Sequence, residues 1–227
     1  MSDIRVITAD APAIDLSPGR PGPPLSAPGQ RIGLLGGSFN PPHAAHRLIS
    51  QTAIKRLQLD CVWWLVTPGN PLKSSIDMPP LEVRMAAAAA CAQDSRIKVT
   101  GFEQAFAVPY TVTTLTHLLT RCPGVHFVWL MGADNLAQMH RWRQWRRLFQ
   151  LMPVAVIDRP GWHLKSLAGT AARTMTRSRW PEAYATGLPG AHPPAWTFLT
   201  GPLSVLSSTA IRAHAIAVGS AMTPPET

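Results

Sequence analysis

The chain has 227 residues, enough for one domain with a buried core, and 46% of them are hydrophobic. No apolar run approaches the roughly 18 residues a membrane helix needs, and Cys61, Cys91 and Cys122 form no CxxC pair. This argues against a spanning protein, a zinc cage or a disulfide framework and fits a reducing, cytoplasmic setting; the formal net charge of +9 favours anionic partners.

Residues 1–30 carry Pro18, Pro21, Pro23, Pro24 and Pro28 with Gly19, Gly22 and Gly29, so they are expected to be a disordered tail ahead of one domain over 31–227. From Arg31 the pattern alternates. Arg31–Leu35 reads as a strand, His43 to Leu57 as a helix, and Cys61–Val66 as a buried strand closed by Thr67-Pro68-Gly69. Leu81–Ala92 is helical by its alanine content, with Pro79-Pro80 marking its start. A short strand at Ile97–Val99, a helix at Thr111–Leu119 and a strong strand at Val125–Met131 follow. A helix at Gln144–Phe149 and a strand at Val154–Ile157 complete the regular part. Glycines and prolines interrupt 161–195, where long loops and one short helix are expected. Trp196–Leu199 reads as a last strand, and Ser207-Ser208-Thr209 opens a short helix. Strands alternating with helices imply an α/β fold: a Rossmann-like, doubly wound parallel sheet with helices on both faces. Ligands of such sheets bind beyond the carboxyl ends of the strands, where strand order switches.

One segment stands at such a strand end: Gly36-Gly37-Ser38-Phe39-Asn40-Pro41-Pro42-His43-Ala44-Ala45-His46. Glycines between a strand and a helix let backbone amides approach a phosphate closely, and His43 and His46 share a helix face from which they can donate to phosphate oxygens. Spacing alone leaves a partial metal site or a plain surface pair open. Downstream, the hydroxyls and amides of Ser207, Ser208 and Thr209 at a helix start suit an anion, and Arg212 adds a fixed charge one turn on. An ordinary N-cap explains the same three residues. Together the two segments read as two jaws on one triphosphate.

The pair resembles the HxGH and SSTxIR signatures of the nucleotidyltransferase superfamily. Within it, the intervening segments resemble nicotinate-nucleotide adenylyltransferases: Thr67-Pro68-Gly69-Asn70-Pro71-Leu72-Lys73, Pro109-Tyr110-Thr111-Val112-Thr113-Thr114-Leu115, Gly132-Ala133-Asp134-Asn135-Leu136 with Trp142, and Arg159-Pro160-Gly161. The resemblance spans about residues 31–212. It implies transfer of the adenylyl group of ATP to nicotinate mononucleotide, giving deamido-NAD and pyrophosphate, with Mg²⁺ carried mainly by the ATP phosphates and no dedicated metal residues. Sister enzymes acting on nicotinamide mononucleotide or phosphopantetheine are the nearest alternative. A nucleic-acid module built on the basic stretch His140–Arg147 is a remote one.

The resemblance also implies roles. His43, His46 and Arg212 are the expected catalytic residues. Gly36, Gly37, Ser38, Phe39, Lys73, Ser207, Ser208 and Thr209 would hold ATP and its phosphates. Tyr110 and Thr111 would line the nicotinate pocket, Trp142 would stack on the pyridine ring, and Asp134 would hold the ribose. Two letters depart from the pattern: Asn40 stands where most members have Asp, and Ala45 where they have Gly.

Overall fold

The structure, a computed structural model, describes residues 22–68, 78–106 and 110–201. Seven strands form one sheet: β1 Arg31–Gly37, β2 Cys61–Val66, β3 Ile97–Thr100, β4 His126–Gly132, β5 Val154–Ile157, β6 Arg179–Trp180 and β7 Trp196–Leu199. Every pairing is parallel, in the order β3-β2-β1-β4-β5-β7-β6. The order runs outward in one direction from β1 and in the other from β4. The switch point predicted from the alternating pattern therefore lies between these two strands.

The helices are α1 Ala44–Leu57, α2 Leu81–Ala92, α3 Thr111–Arg121, α4 Ala133–Gln138, α5 Trp145–Leu151, α6 His163–Leu167 and α7 Thr170–Thr174. Two apolar layers enclose the sheet. On one face Ile49, Ala53 and Leu57 of α1 and Ala88 of α2 pack on Leu35, Trp64 and Leu130. On the other, Leu115, Leu118, Leu136, Leu148 and Phe149 pack on Trp63, Phe127 and Trp129. Covering both faces explains why β2, β4 and β5 are continuous apolar runs without alternation.

Two expectations shift. The Pro/Gly-rich segment gains fixed backbone before residue 31: Gly29 N–H donates to Gly124 O, and His126 N–H donates to Gln30 O, at 2.7 and 2.8 Å. The 161–195 stretch is no run of long loops. It holds α6, α7, β6 and a nine-residue 3-10 segment, Glu182–Gly190, whose Leu188 is fully buried. These pieces are too short to show a period, and packing on α1, α4 and β7 shapes them.

Candidate active site

The turn after β1 is held by its own aromatic residue. Phe39 adopts φ +46, a conformation unfavourable for a side-chain-bearing residue. Its ring is buried, stacked on Trp64 at 5.0 Å and tilted on His46 at 4.7 Å, and that packing holds the backbone there. His43 follows with extended backbone as the N-cap of α1. His43 N–H donates to His46 Nδ1 at 3.2 Å, so the third residue of the helix reaches back to satisfy a free amide of the first turn. Trp64 Nε1–H donates to Ser50 Oγ at 2.7 Å, and Ser50 Oγ–H donates to His46 O at 2.9 Å, which pins α1 to β2. Ala45 is buried inside right-handed helix, so its methyl takes the place of a glycine without strain.

This geometry fixes the state of the imidazoles. Nδ1 of His46 accepts a hydrogen bond, so the ring proton sits on Nε2. Burial first, then the neighbouring His43 and the Arg159 charge, pulls the His46 pKa down to about 3. Burial and Arg159 pull His43 to about 4, with Asp134 opposing. The rings lie 3.9 Å apart. Both are neutral at physiological pH, and His46 offers an N–H.

Across the switch point, β4 ends at Gly132 and α4 begins. A Cβ on Gly132 would stand 2.5 Å from Asp134 Oδ1 and 2.8 Å from Arg159 Cδ, so only glycine lets this ion pair close over the strand end. Arg159 Nη1 donates to Asp134 Oδ2 at 3.1 Å, while Asp134 Oδ1 is buried without a partner among the described residues. His43, His46, Asp134 and Arg159 thus form one electrostatic cluster between the ends of β1, β4 and β5.

A second cluster is aromatic. Trp142 meets Trp129 edge-on at 6.5 Å, and the Arg143 guanidinium lies 4.6 Å above the Tyr110 ring. Thr111 is the first residue of α3. Trp129 joins the two clusters, because a Cβ on Gly36 would lie 2.6 Å from its Cη2. Gly36 is therefore required on packing grounds, whatever its dealings with phosphate.

Of the residues singled out from sequence, Gly36, Gly37, Ser38, Phe39, His43, His46 and Asp134 gather on the histidine side, and Tyr110, Thr111 and Trp142 on the aromatic side. Lys73, Ser207, Ser208, Thr209 and Arg212 lie outside the described residues. Sequence reasoning gave no role to Arg159, Trp129, Arg84 or Glu103. Arg84 and Glu103 are charged side chains in the interior, 3% and 7% exposed. Glu103 accepts from Thr114 Oγ1 at 2.7 Å and interacts with Thr67, and burial pushes its pKa up to about 7. The Arg159-Pro160-Gly161 turn was the one signal that pointed at any of these four.

The cytidylyltransferase-like family model matches residues 34–214. A probable nicotinate-nucleotide adenylyltransferase of Brucella abortus (strain 2308) is 54% identical over 181 residues, 80% of this chain and 93% of the relative. One of the same name from Methylorubrum extorquens is 56% identical over 182 residues, 80% of this chain and 98% of the relative. Among solved structures, the Plasmodium falciparum nicotinic acid mononucleotide adenylyltransferase complexed with NaAD shares the fold, with a TM-score of 0.62 at 16% identity over 81% of this chain and 83% of that one.

Proposed function

Because this chain belongs to the nicotinate-nucleotide adenylyltransferases of the cytidylyltransferase-like family, we infer that it transfers the adenylyl group of ATP to nicotinate mononucleotide, a step of NAD synthesis. The acceptor phosphate oxygen forms a bond to the α-phosphorus while the bond to the β-phosphate bridging oxygen breaks, and pyrophosphate leaves. No enzyme nucleophile is needed; positioning and electrostatic stabilisation supply the rate.

The observation that carries the assignment of roles is the hydrogen bond from His43 N–H to His46 Nδ1 at the switch point, which leaves the ring proton on Nε2. An Nε2–H on a ring held by the His43 cap and packed on Phe39 is a pre-oriented donor for phosphoryl oxygen, strongest where charge grows in the transition state. His43 supports it from 3.9 Å, and Arg159 adds a fixed cation beside both rings. Asp134 Oδ1, without a partner among the described residues, suits a substrate hydroxyl, which agrees with a ribose contact. Tyr110, Thr111 and Trp142 supply an aromatic and helix-start surface suited to a pyridine carboxylate, with Arg143 beside it.

The second jaw, opening at Ser207, remains part of this reading by chain reach, and Lys73 by the resemblance of its segment. The described chain ends with Gly201 against Thr52 of α1, 3.5 Å from a Cβ built there. The six residues from Gly201 to Ser207 span up to about 20 Å, and Thr52 to His46 is about 9 Å along the helix. Mg²⁺ belongs on the triphosphate in this reading, as a hard cation whose oxygen ligands the ATP phosphates supply. The cytoplasm is the proposed setting, in keeping with the free thiols of Cys61, Cys91 and Cys122.

Pyrophosphate release from ATP and Mg²⁺ with each acceptor tests the reading. Nicotinate mononucleotide should give at least about tenfold higher kcat/KM than nicotinamide mononucleotide or phosphopantetheine. No release with nicotinate mononucleotide, or preference for either rival, would overturn it.

A further inference from the structure

Arg84 lies on α2, an alanine-rich helix that shows no sign in sequence of serving a site. Its guanidinium is buried and spends its donors on four backbone carbonyls: Nε on Pro79 O at 2.9 Å, Nη1 on Ser38 O at 2.8 Å and Thr67 O at 2.7 Å, and Nη2 on Pro68 O at 3.2 Å. Burial pulls its pKa down from the usual guanidinium range, and Glu82 partly offsets this. No carboxylate among the described residues contacts it; a buried charge so placed is costly, and such a group is retained where its geometry is needed.

The acceptors say what that geometry is. The ladder between β1 and β2 ends with Thr67 N–H donating to Gly37 O at 3.0 Å. One residue further on, where the strands part, Arg84 Nη1 bridges Ser38 O and Thr67 O. The guanidinium is the next rung, made by a side chain. If Arg84 only started its own helix, Pro79 O would suffice. Three of its bonds instead reach the two loops that carry the glycine-rich turn and the approach to Lys73. Fixing the Ser38 carbonyl also fixes the trans peptide it shares with Phe39, whose N–H points the opposite way. That amide belongs to the turn aimed at phosphate.

We propose that Arg84 is the positioning residue of the triphosphate site: it splices the loops after β1 and β2 at a set separation, so that the turn from Gly36 to Phe39 meets ATP already shaped. The proposal rests on the adenylyltransferase reading. A lysine keeps the charge but cannot span carbonyls that a planar guanidinium holds in four directions.

The test compares wild type with Arg84→Lys, Arg84→Gln and Ala88→Gly, the last being a buried control one turn along α2. Pyrophosphate release is read against each substrate in turn, with Tm measured alongside. Arg84→Lys and Arg84→Gln should raise the KM for ATP about tenfold or more while the KM for nicotinate mononucleotide changes less than about twofold. Ala88→Gly should lower Tm and leave both KM values unchanged, because a smaller folded fraction lowers only apparent kcat. If the Arg84 variants lower Tm without raising the KM for ATP, or raise both KM values equally, the residue merely holds the fold and the proposal fails. If Arg84→Gln does not fold, Arg84→Lys alone decides. Absence of turnover in wild type would instead remove the adenylyltransferase reading itself.

Discussion

The histidine side of the site and its aromatic side are built on opposite plans. His43, His46, Phe39 and Asp134 are held by a capping hydrogen bond, ring packing and an ion pair on one short stretch of chain and the facing strand end. Tyr110, Trp142 and Arg143 come from segments more than 30 residues apart and are held more loosely, by a cation–π contact of Arg143 over Tyr110 and an edge-on contact of Trp142 with Trp129. Charge stabilisation depends on orientation and low dielectric, so the histidine side must be rigid before substrate arrives. Recognition of a flat ring depends on surface and tolerates adjustment. The contrast predicts that damage to the first side appears in turnover and damage to the second in acceptor affinity.

The largest effect is expected at His46. His46→Ala removes the Nε2–H donor and should lower kcat by about 10²-fold or more in steady-state pyrophosphate release. An unchanged kcat would take His46 out of the mechanism and erase the contrast. Gly36→Ala comes next, since its methyl would press on Trp129 between the two sides. We expect a loss of about 1–3 kcal/mol in denaturant melts, with kcat and the acceptor KM both impaired. An effect confined to one side would mean the sides are not joined through Trp129. Trp142→Ala should raise the KM for nicotinate mononucleotide about tenfold with kcat changed less than about threefold. A pure loss of turnover would contradict a stacking role.

The smallest effect lies in the pH dependence of stability. The two histidines have lowered pKa values, so the unfolded chain binds more protons than the native one below about 6.5, and stability falls as the pH drops from there toward 4 and 3. Glu103 has the opposite sign. Its native pKa, about 7, is above the ordinary 4.5, so its contribution is complete below 4.5 and is lost as the pH rises through 7. Glu103→Gln should therefore gain Tm relative to wild type between about pH 5 and pH 8. Parallel curves for the two proteins would show that this buried acid does not titrate as described.

Much of the fold was legible because the strands are apolar runs bounded by turn residues: Cys61–Val66 and Trp196–Leu199 read directly from side chains that must be buried on both faces. The helix Ala133–Gln138 escaped because six residues after a glycine read as a turn. The site divided in the same way. The Gly36–His46 motif is local, so its chemistry shows in one segment. Arg84 and Arg159 act across 46 and 25 residues, and an arginine in an alanine-rich helix reads as solvated until the fold shows it buried. The short elements of 161–195 have no pattern of their own, since tertiary packing shapes them.

Catalysis on this plan turns on His46 being a neutral imidazole with its proton held on Nε2. Nitrogen-15 NMR of histidine-labelled, ligand-free protein reads both properties at once, with His46→Ala identifying the resonance. Between about pH 5 and 8 the signal should remain that of the Nε2–H tautomer and should not titrate. Titration near about 6.5, the ordinary histidine value, or a proton resident on Nδ1, would contradict the capping geometry and the donor role drawn from it.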